Sequence, residues 1–225
     1  MVTAYDSMTA GSTPTPSRDA DRPVVIVVDD DDLVRSALSR MFRLSRLAVE
    51  LYASGTEFLA QARLDRLCCI ILDVRMPGMS GLEVQAHLKQ RHVKAPVIFL
   101  TGASDIPIAV SAMREGAVDF IEKPIDSDDL LSRVRQAIDR HRLVRQADLE
   151  QHDALRRLKS LTAREFSVLE LVVTGKTNKQ IARSLGASHR TIEVHRSHIM
   201  EKMAAPTLAQ LVRMWLRLAD QSLTD

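Results

Sequence analysis

Cysteine is almost missing from this 225-residue chain, which holds two, side by side at Cys68 and Cys69. An adjacent pair builds no disulfide framework and suits a reducing compartment. A vicinal redox pair is one use for it. Two small apolar fillers of a buried strand is the other, and the apolar flanks favour that reading. Aromatics are few, one Trp, two Tyr and five Phe, which leaves no stacking platform for single-stranded RNA. No apolar run approaches the ~20 residues that span a bilayer. The opening stretch, MVTAYDSMTAGSTPTPSRDADRP, lacks the basic flank and apolar block of a secretory signal. A cytoplasmic protein with no membrane partner is therefore expected. The Ser, Thr, Pro and Gly of that stretch predict a disordered leader over residues 1–22.

What the chain does have is enough apolar material for a core, 45% of residues against 27% charged. Its net charge of +2 hides an asymmetry. Residues 1–150 carry 19 Lys and Arg against 22 Asp and Glu, whereas residues 151–225 carry 12 against 7. An acidic part joined to a basic part implies two domains, the second facing a polyanion.

Five short apolar runs without alternation read as buried parallel strands. They are VVIVV (Val24–Val28), LAVELY (Leu47–Tyr52), CIIL (Cys69–Leu72), PVIFL (Pro96–Leu100) and VDFI (Val118–Ile121). Helical stretches separate them. Leu33, Val34, Ala37, Leu38, Met41 and Phe42 form one stripe. Ser54 and Glu57 make a capping box, and Gly81–His92 and Pro107–Gly116 supply two more helices. Another begins with Asp126 as its cap, and the absence of Pro and Gly as far as Leu158 predicts that it runs on into a helical linker. This alternation predicts a doubly wound α/β domain with a five-stranded parallel sheet in the flavodoxin-like order 2-1-3-4-5.

After Lys159 the rhythm is all-helical. The capping box Thr162–Glu165, Asn178 as N-cap, Gly186 as terminator and Ser188 as cap outline a small all-α domain. Two short helices joined by the turn LGAS have the grammar of a helix-turn-helix. Ile181, Leu185, Ile192, Ile199 and Met203 fall on its core side. The expected division is a leader over 1–22, an α/β domain over 23–141, a helical linker over 142–160 and the helix-turn-helix domain over 161–225.

In an open α/β sheet, ligands bind beyond the carboxyl ends of the strands. There stand Asp29, Asp30, Asp31 and Asp32 after the first strand, Asp73 after the third, Thr101 after the fourth and Lys123-Pro124 after the fifth. Crowded carboxylates repel unless a cation joins them, and an all-oxygen ligand set suits Mg2+. A carboxylate also acts as a nucleophile, forming an aspartyl phosphate while a metal and a Lys neutralise the transferring group. Singly, each residue has a plainer use: Asp31 or Asp32 as a helix cap, Thr101 as a turn residue, Lys123 as a solvated charge. Their joint arrival at the correct strand ends favours the phosphoryl site.

The segments VVIVVDDDD, ILDVRMPGMSG, VIFLTG and AVDFIEKP resemble the signature segments of bacterial response-regulator receiver domains, from about Pro23 to His141. The resemblance implies that Asp73 is the phospho-acceptor, and that Asp29, Asp30, Asp73 and the backbone carbonyl of Arg75 hold Mg2+. It also implies that Lys123, on a cis peptide to Pro124, pairs with the phosphoryl group, and that Thr101 and Phe120 form the switch. LTAREFSVLELVVTGKTNKQIARSLGASHRTIEVHRSHIMEKM resembles the LuxR-type (NarL/FixJ-type) DNA-binding domain, the match running from about Leu161 to Leu218. In such a motif the second helix enters the major groove. Glu193, Val194, Arg196 and Ser197 are then the candidate base readers, and Thr177, Lys179, Arg190 and Lys202 the candidate phosphate contacts. Glu193 would repel phosphate but accept from a cytosine amino group. Met214 and Trp215 lie on the last helix, which in this class usually pairs two domains. His195 and His198 lack partners at zinc spacing.

Together the resemblances imply a two-component transcription regulator. A sensor histidine kinase would phosphorylate Asp73, and Thr101 and Phe120 would shift, remodelling the face from Ile106 to Ile121. The receiver would then form a homodimer and place two domains on double-stranded promoter DNA, with RNA polymerase as a further partner. No enzymatic turnover is expected beyond slow self-dephosphorylation. A Mg2+ phosphohydrolase of the haloacid-dehalogenase kind wants a second Asp two residues after its nucleophile, where this chain has Arg75. A constitutive DNA-binding protein with a silent receiver is disfavoured by the intact Asp, Thr and Lys set.

Overall fold

The computed structural model describes residues 22–102 and 119–219. The chain divides into two compact units, with the boundary between Val144 and Arg145. The first is built from β1 (Val24–Val28), α1 (Asp32–Leu44), β2 (Ala48–Tyr52), α2 (Gly55–Gln61), β3 (Cys68–Asp73), α3 (Gly81–Gln90), β4 (Val97–Thr101) and β5 (Asp119–Glu122). The next described helix, α4 (Ser127–Lys159), is continuous across the boundary between the units. The five strands are parallel and lie in the order β2-β1-β3-β4-β5. The helix predicted at Pro107–Gly116, and with it most of the face predicted from Ile106 to Ile121, lies outside the described residues.

Both faces of the sheet are covered, and the two-residue period of a strand decides which residue meets which layer. On one face Val24, Ile26 and Val28 of β1 join Cys68, Ile70 and Leu72 of β3 against Phe58 of α2 and Val84 and Leu88 of α3. On the other, Val25, Val27, Cys69 and Ile71 meet Leu38 and Phe42 of α1 and Leu130, Val134 and Ile138 of α4. Every residue of β1 and β3 is buried, which is why these runs show no alternation. Cys68 and Cys69 are buried thiols, not joined in a disulfide, in opposite core layers, and burial pushes the Cys69 thiol far up. They fill space, as the plainer of the two readings has it. At the N-terminal end of β3, the His141 ring Nδ1 lies 2.8 Å from the Cys68 carbonyl. The Cys68 backbone nitrogen lies 3.4 Å from the same ring nitrogen, so the imidazole ties α4 to the strand.

The helical stripe of α1 is rotated from the expected one. Leu38 and Phe42 are buried and Val34 and Met41 partly so, whereas Leu33 is 80% exposed. Adjacent apolar residues are 100° apart on a helix, and the sheet covers only one side of the pair. Asp31 caps α1 by accepting from the Leu33 N–H at 2.8 Å.

The second unit contains α5 (Ala163–Val173), α6 (Asn178–Leu185), α7 (His189–Lys202) and α8 (Leu208–Ala219). Its boundaries are set by capping chemistry. Thr162 and Glu165 form a reciprocal box at α5, Thr177 and Gln180 another at α6, and Ser188 caps α7. The cap of α6 is therefore Thr177, and Asn178, predicted as the cap, is its first helical residue. Gly186 ends α6 in the left-handed conformation, with φ 61°. Val168, Leu169, Ile181, Ile192, Ile199, Met203 and Leu211 form the core, with Leu185 partly buried against it. Met214 and Trp215 also pack on that core, Trp215 with its ring centroid 5.8 Å from Phe166. Glu165 is nearly inaccessible and accepts from the Lys202 Nζ at 2.6 Å, clamping α5 to the end of α7.

Two expectations follow. A Cβ at Gly81 would lie 2.3 Å from the Asp73 carbonyl oxygen and 3.1 Å from Phe99 Cε1. Gly81→Ala should therefore destabilise the first unit by roughly 1–3 kcal/mol in urea unfolding, the cost of overpacking. An unchanged midpoint would show that the loop relaxes freely. In the second unit, Lys202 and the Thr162 N–H hold the Glu165 carboxyl at about 2, below its ordinary 4.5. On acidification the unfolded chain takes up this proton first, so the clamp's stabilisation is complete above about pH 4.5 and is lost as pH falls toward 2. Trp215 fluorescence melts should show that loss, and Glu165→Gln should flatten it.

Candidate phosphoryl site and nucleic-acid interface

The register of the central strands builds the first site. Val28 of β1 pairs with Leu72 of β3, so the residues that follow, Asp29 and Asp73, emerge side by side where the sheet order reverses. Asp29 is 1% and Asp73 7% exposed. Two such carboxylates repel, and the structure answers with one ammonium. Lys123 Nζ donates to Asp73 Oδ1 at 2.6 Å and to Asp29 Oδ2 at 3.0 Å. Its peptide bond to Pro124 is cis. The backbone delivers it, because the Lys123 N–H bonds the carbonyl of Thr101 at 2.8 Å, extending the β4–β5 pairing by one residue.

The other oxygens of the pair are held by backbone. Asp29 Oδ1 accepts from the Asp31 N–H at 2.8 Å, and Asp73 Oδ2 from the Arg75 N–H at 2.9 Å. Burial raises the Asp73 carboxyl above its ordinary value, and the hydrogen bond and charge of Lys123 only partly offset this. For Lys123, burial pulls the ammonium down, but its bonds to Asp73 and Asp29 outweigh that and raise it. The loop that follows Asp73 is tight: the Gly81 N–H returns to the Val74 carbonyl at 3.0 Å, and Gly78 takes φ 80°. The strand thus breaks at once into a Pro/Gly loop that lets backbone crowd the Asp73 carboxyl end.

Thr101 is buried and its hydroxyl donates to the Ile121 carbonyl at 3.4 Å. Phe120, on the neighbouring strand, is 39% exposed. Asp30 is exposed and lines an open groove with Arg75, Met76 and Ser80. Asp29, Asp73, Lys123 and Thr101 are thus brought together, while the Asp30 side chain stands at the rim. Among the described residues no group of three His, Cys, Asp or Glu side chains is close enough to hold an ion as a set. The donor set nonetheless fits Mg2+. The ion needs one or two carboxylates and keeps several waters, and two buried carboxylates already converge on a single cation here.

Sequence reasoning missed Arg35. Its guanidinium donates to the Asp29 carbonyl at 2.6 Å and to Asp32 at 3.0 Å, anchoring the acidic loop from below the helix start. The i,i+3 spacing of Asp32 and Arg35 was the available signal.

The candidate DNA residues divide by partner. Lys179, Arg190, Glu193, Val194 and Ser197 are exposed along α6 and α7, with Val194 47% accessible. Glu193 lies 3.5 Å from His189 one turn back. The Thr177 hydroxyl is taken up in its capping box. Arg196 is half-buried, with Nη1 donating to Asn178 Oδ1 at 3.0 Å. Lys202, a candidate phosphate contact, is partly exposed and its ammonium donates to Glu165. Proximity in the fold created that pair; the two residues are 37 apart in sequence.

Residues 25–135 match the receiver domain of response regulators, and residues 159–215 match the luxR family of bacterial regulatory proteins. The chain is 41% identical over 193 residues to nodulation protein W of Bradyrhizobium diazoefficiens, covering 86% of this chain and 85% of that protein. It is 45% identical to transcriptional regulatory protein FixJ of Azorhizobium caulinodans, covering 85% of this chain and 91% of that one. Among solved structures, the response regulator StyR superposes with a TM-score of 0.81 at 39% identity, covering 87% of this chain and 99% of StyR. Receiver domains of this family bind Mg2+ at their acidic site. The chain belongs to the two-component response regulators that join a receiver to a LuxR-type DNA-binding domain, and it is a phosphorylation-dependent regulator of transcription.

Proposed function

We propose that Asp73 accepts the phosphoryl group from a phosphohistidine of a sensor kinase in the cytoplasm, and that its occupancy controls dimerisation and promoter binding. The observation that carries this is the Lys123 ammonium shared between Asp73 and Asp29. A carboxylate oxygen of Asp73 attacks phosphorus, the phosphorus–nitrogen bond breaks, and the leaving imidazole keeps the electron pair. Lys123 is already in place to meet the new negative oxygens. Asp29, Asp30, Asp73 and the Arg75 carbonyl would hold Mg2+, which supplies charge neutralisation at the transferring group when bound.

The Thr101 hydroxyl, which donates to Ile121 at 3.4 Å, is free to exchange that weak bond for a phosphoryl oxygen. Phe120, next to Ile121 and part exposed, follows it. Phosphorylation then biases a two-state element. Receivers pair and bring two copies of α7 to promoter half-sites, where RNA polymerase is recruited. Lys179 and Arg190 serve phosphate, and Glu193, Val194, Arg196 and Ser197 face base edges. The only turnover is slow loss of the chain's own phosphate; Arg75 stands where a phosphohydrolase carries its second Asp.

Sedimentation of the full chain with Mg2+ and acetyl phosphate should convert monomer to dimer, and Asp73→Asn should abolish the change. A phosphodonor-dependent dimer in Asp73→Asn would sink the mechanism. Lys123→Met should cut the phosphorylation rate by roughly 100-fold or more, as loss of one preorganised charge-stabilising group does. Phosphate uptake at Asp73 by intact-mass measurement is the readout, and an unchanged rate would remove Lys123 from the transfer step.

A further inference from the structure

Besides the Glu165–Lys202 clamp and the bond from Arg164 to the Leu185 carbonyl, the described helices of the DNA-binding unit share a side-chain contact that neither the core nor the capping chemistry explains. Arg196 Nη1 of α7 donates to Asn178 Oδ1 of α6 at 3.0 Å, and both residues are half-buried. Asn178 is not engaged as a cap, because Thr177 and Gln180 close the start of α6 between them. Arginine only donates, so the amide oxygen of Asn178 must face it. The contact thus has one allowed orientation and leaves most of the guanidinium N–H groups unused by it.

Among the candidate base readers Glu193, Val194, Arg196 and Ser197, Arg196 is the one cation. A guanidinium held by one edge keeps its plane while its other N–H groups stay available, and such a fork matches the O6 and N7 acceptors of guanine. A phosphate accepts the same fork or a bare Lys ammonium, so a plane fixed in advance discriminates only at a base edge. Fixing the plane before binding also removes the entropy cost of ordering a long side chain in the groove.

We infer that Asn178 is a specificity-determining positioning residue: it sets the plane of Arg196 so that Arg196 reads a guanine in the major groove. The inference rests on the reading of this unit as the DNA-binding one. Asn178 acts through Arg196, and the signature of that is a loss confined to one base position.

The test is selection of duplexes from random DNA by the full chain, treated with Mg2+ and acetyl phosphate, followed by affinity measurements on the enriched site and its single-base variants. Arg196→Ala should lose guanine preference at one position per half-site by roughly 10- to 100-fold. Asn178→Ala should weaken preference at that same position by roughly 3- to 10-fold. Other positions, and the slope of log affinity against log salt, should not move. The double variant should match Arg196→Ala alone. Asn178→Asp, which keeps an acceptor for Arg196, should keep the guanine preference even if overall affinity falls, and it guards against a folding defect in the Ala variant.

Unchanged guanine preference in Asn178→Ala overturns the inference. So does a uniform loss with a shallower salt slope, which marks a direct phosphate contact, or an additive loss in the double variant. A native chain that enriches no sequence overturns the DNA-binding reading itself and the inference with it.

Discussion

The first unit is organised around a repulsion. Asp29 and Asp73 are carried to adjacent, nearly inaccessible places by strands whose apolar side chains leave no freedom to slip. Shifting the register by one residue would turn every core residue of β1 to the wrong layer. The carboxylates are therefore held together by hydrophobic packing, against their own charge. Lys123 compensates from β5, at the far edge of the sheet order, so the whole sheet between β1 and β5 is part of the site. Removing one member of such a pair leaves an uncompensated buried charge, which is more costly than the pair is favourable.

With Asp73 as the proposed acceptor, that arrangement also accounts for a response to phosphate. A phosphoryl group on Asp73 brings new negative oxygens beside Asp29, and only cationic charge makes the product tolerable. The groups next in line are Lys123 and the hydroxyl of Thr101, whose present bond to Ile121, at 3.4 Å, is long for a hydroxyl. On that proposal, electrostatic change at one strand end would reach the backbone of β5, the strand that bears Phe120, through the Thr101–Ile121 bond. Arg35 holds the acidic loop on the other side by its carbonyl and Asp32, leaving the Asp29 carboxylate to its own partners.

The second unit uses charge differently. Its helices are short, and reciprocal caps at Thr162 and Thr177 decide where α5 and α6 begin. Glu165 serves twice, as capping partner of Thr162 and as the anchor for Lys202. A basic residue near the end of α7 thus helps to build the scaffold, while Lys179 and Arg190 stay exposed. Some of the excess positive charge of this part of the chain is paired within the fold.

Much was legible without coordinates because it is local or periodic. Buried strands write themselves as unbroken apolar runs, and the residues after them mark the site in any open parallel sheet. Asp29, Asp73, Thr101 and Lys123 could be placed that way. Local chemistry also determined the caps at Thr162 and Ser188 and the turn at Gly186. What the sequence could not decide was which of two equivalent local choices tertiary contacts would select. Thr177 and Asn178 are both good caps, and Gln180 chose Thr177. Leu33 and Val34 both suit a core stripe, and the sheet lies against only one of them. Lys202 reads as a surface charge until the fold brings Glu165 to 2.6 Å. Arg196 reads as a free base reader until Asn178 meets it. Pairs distant in sequence carry no periodicity and no spacing, so only the packed chain reveals them.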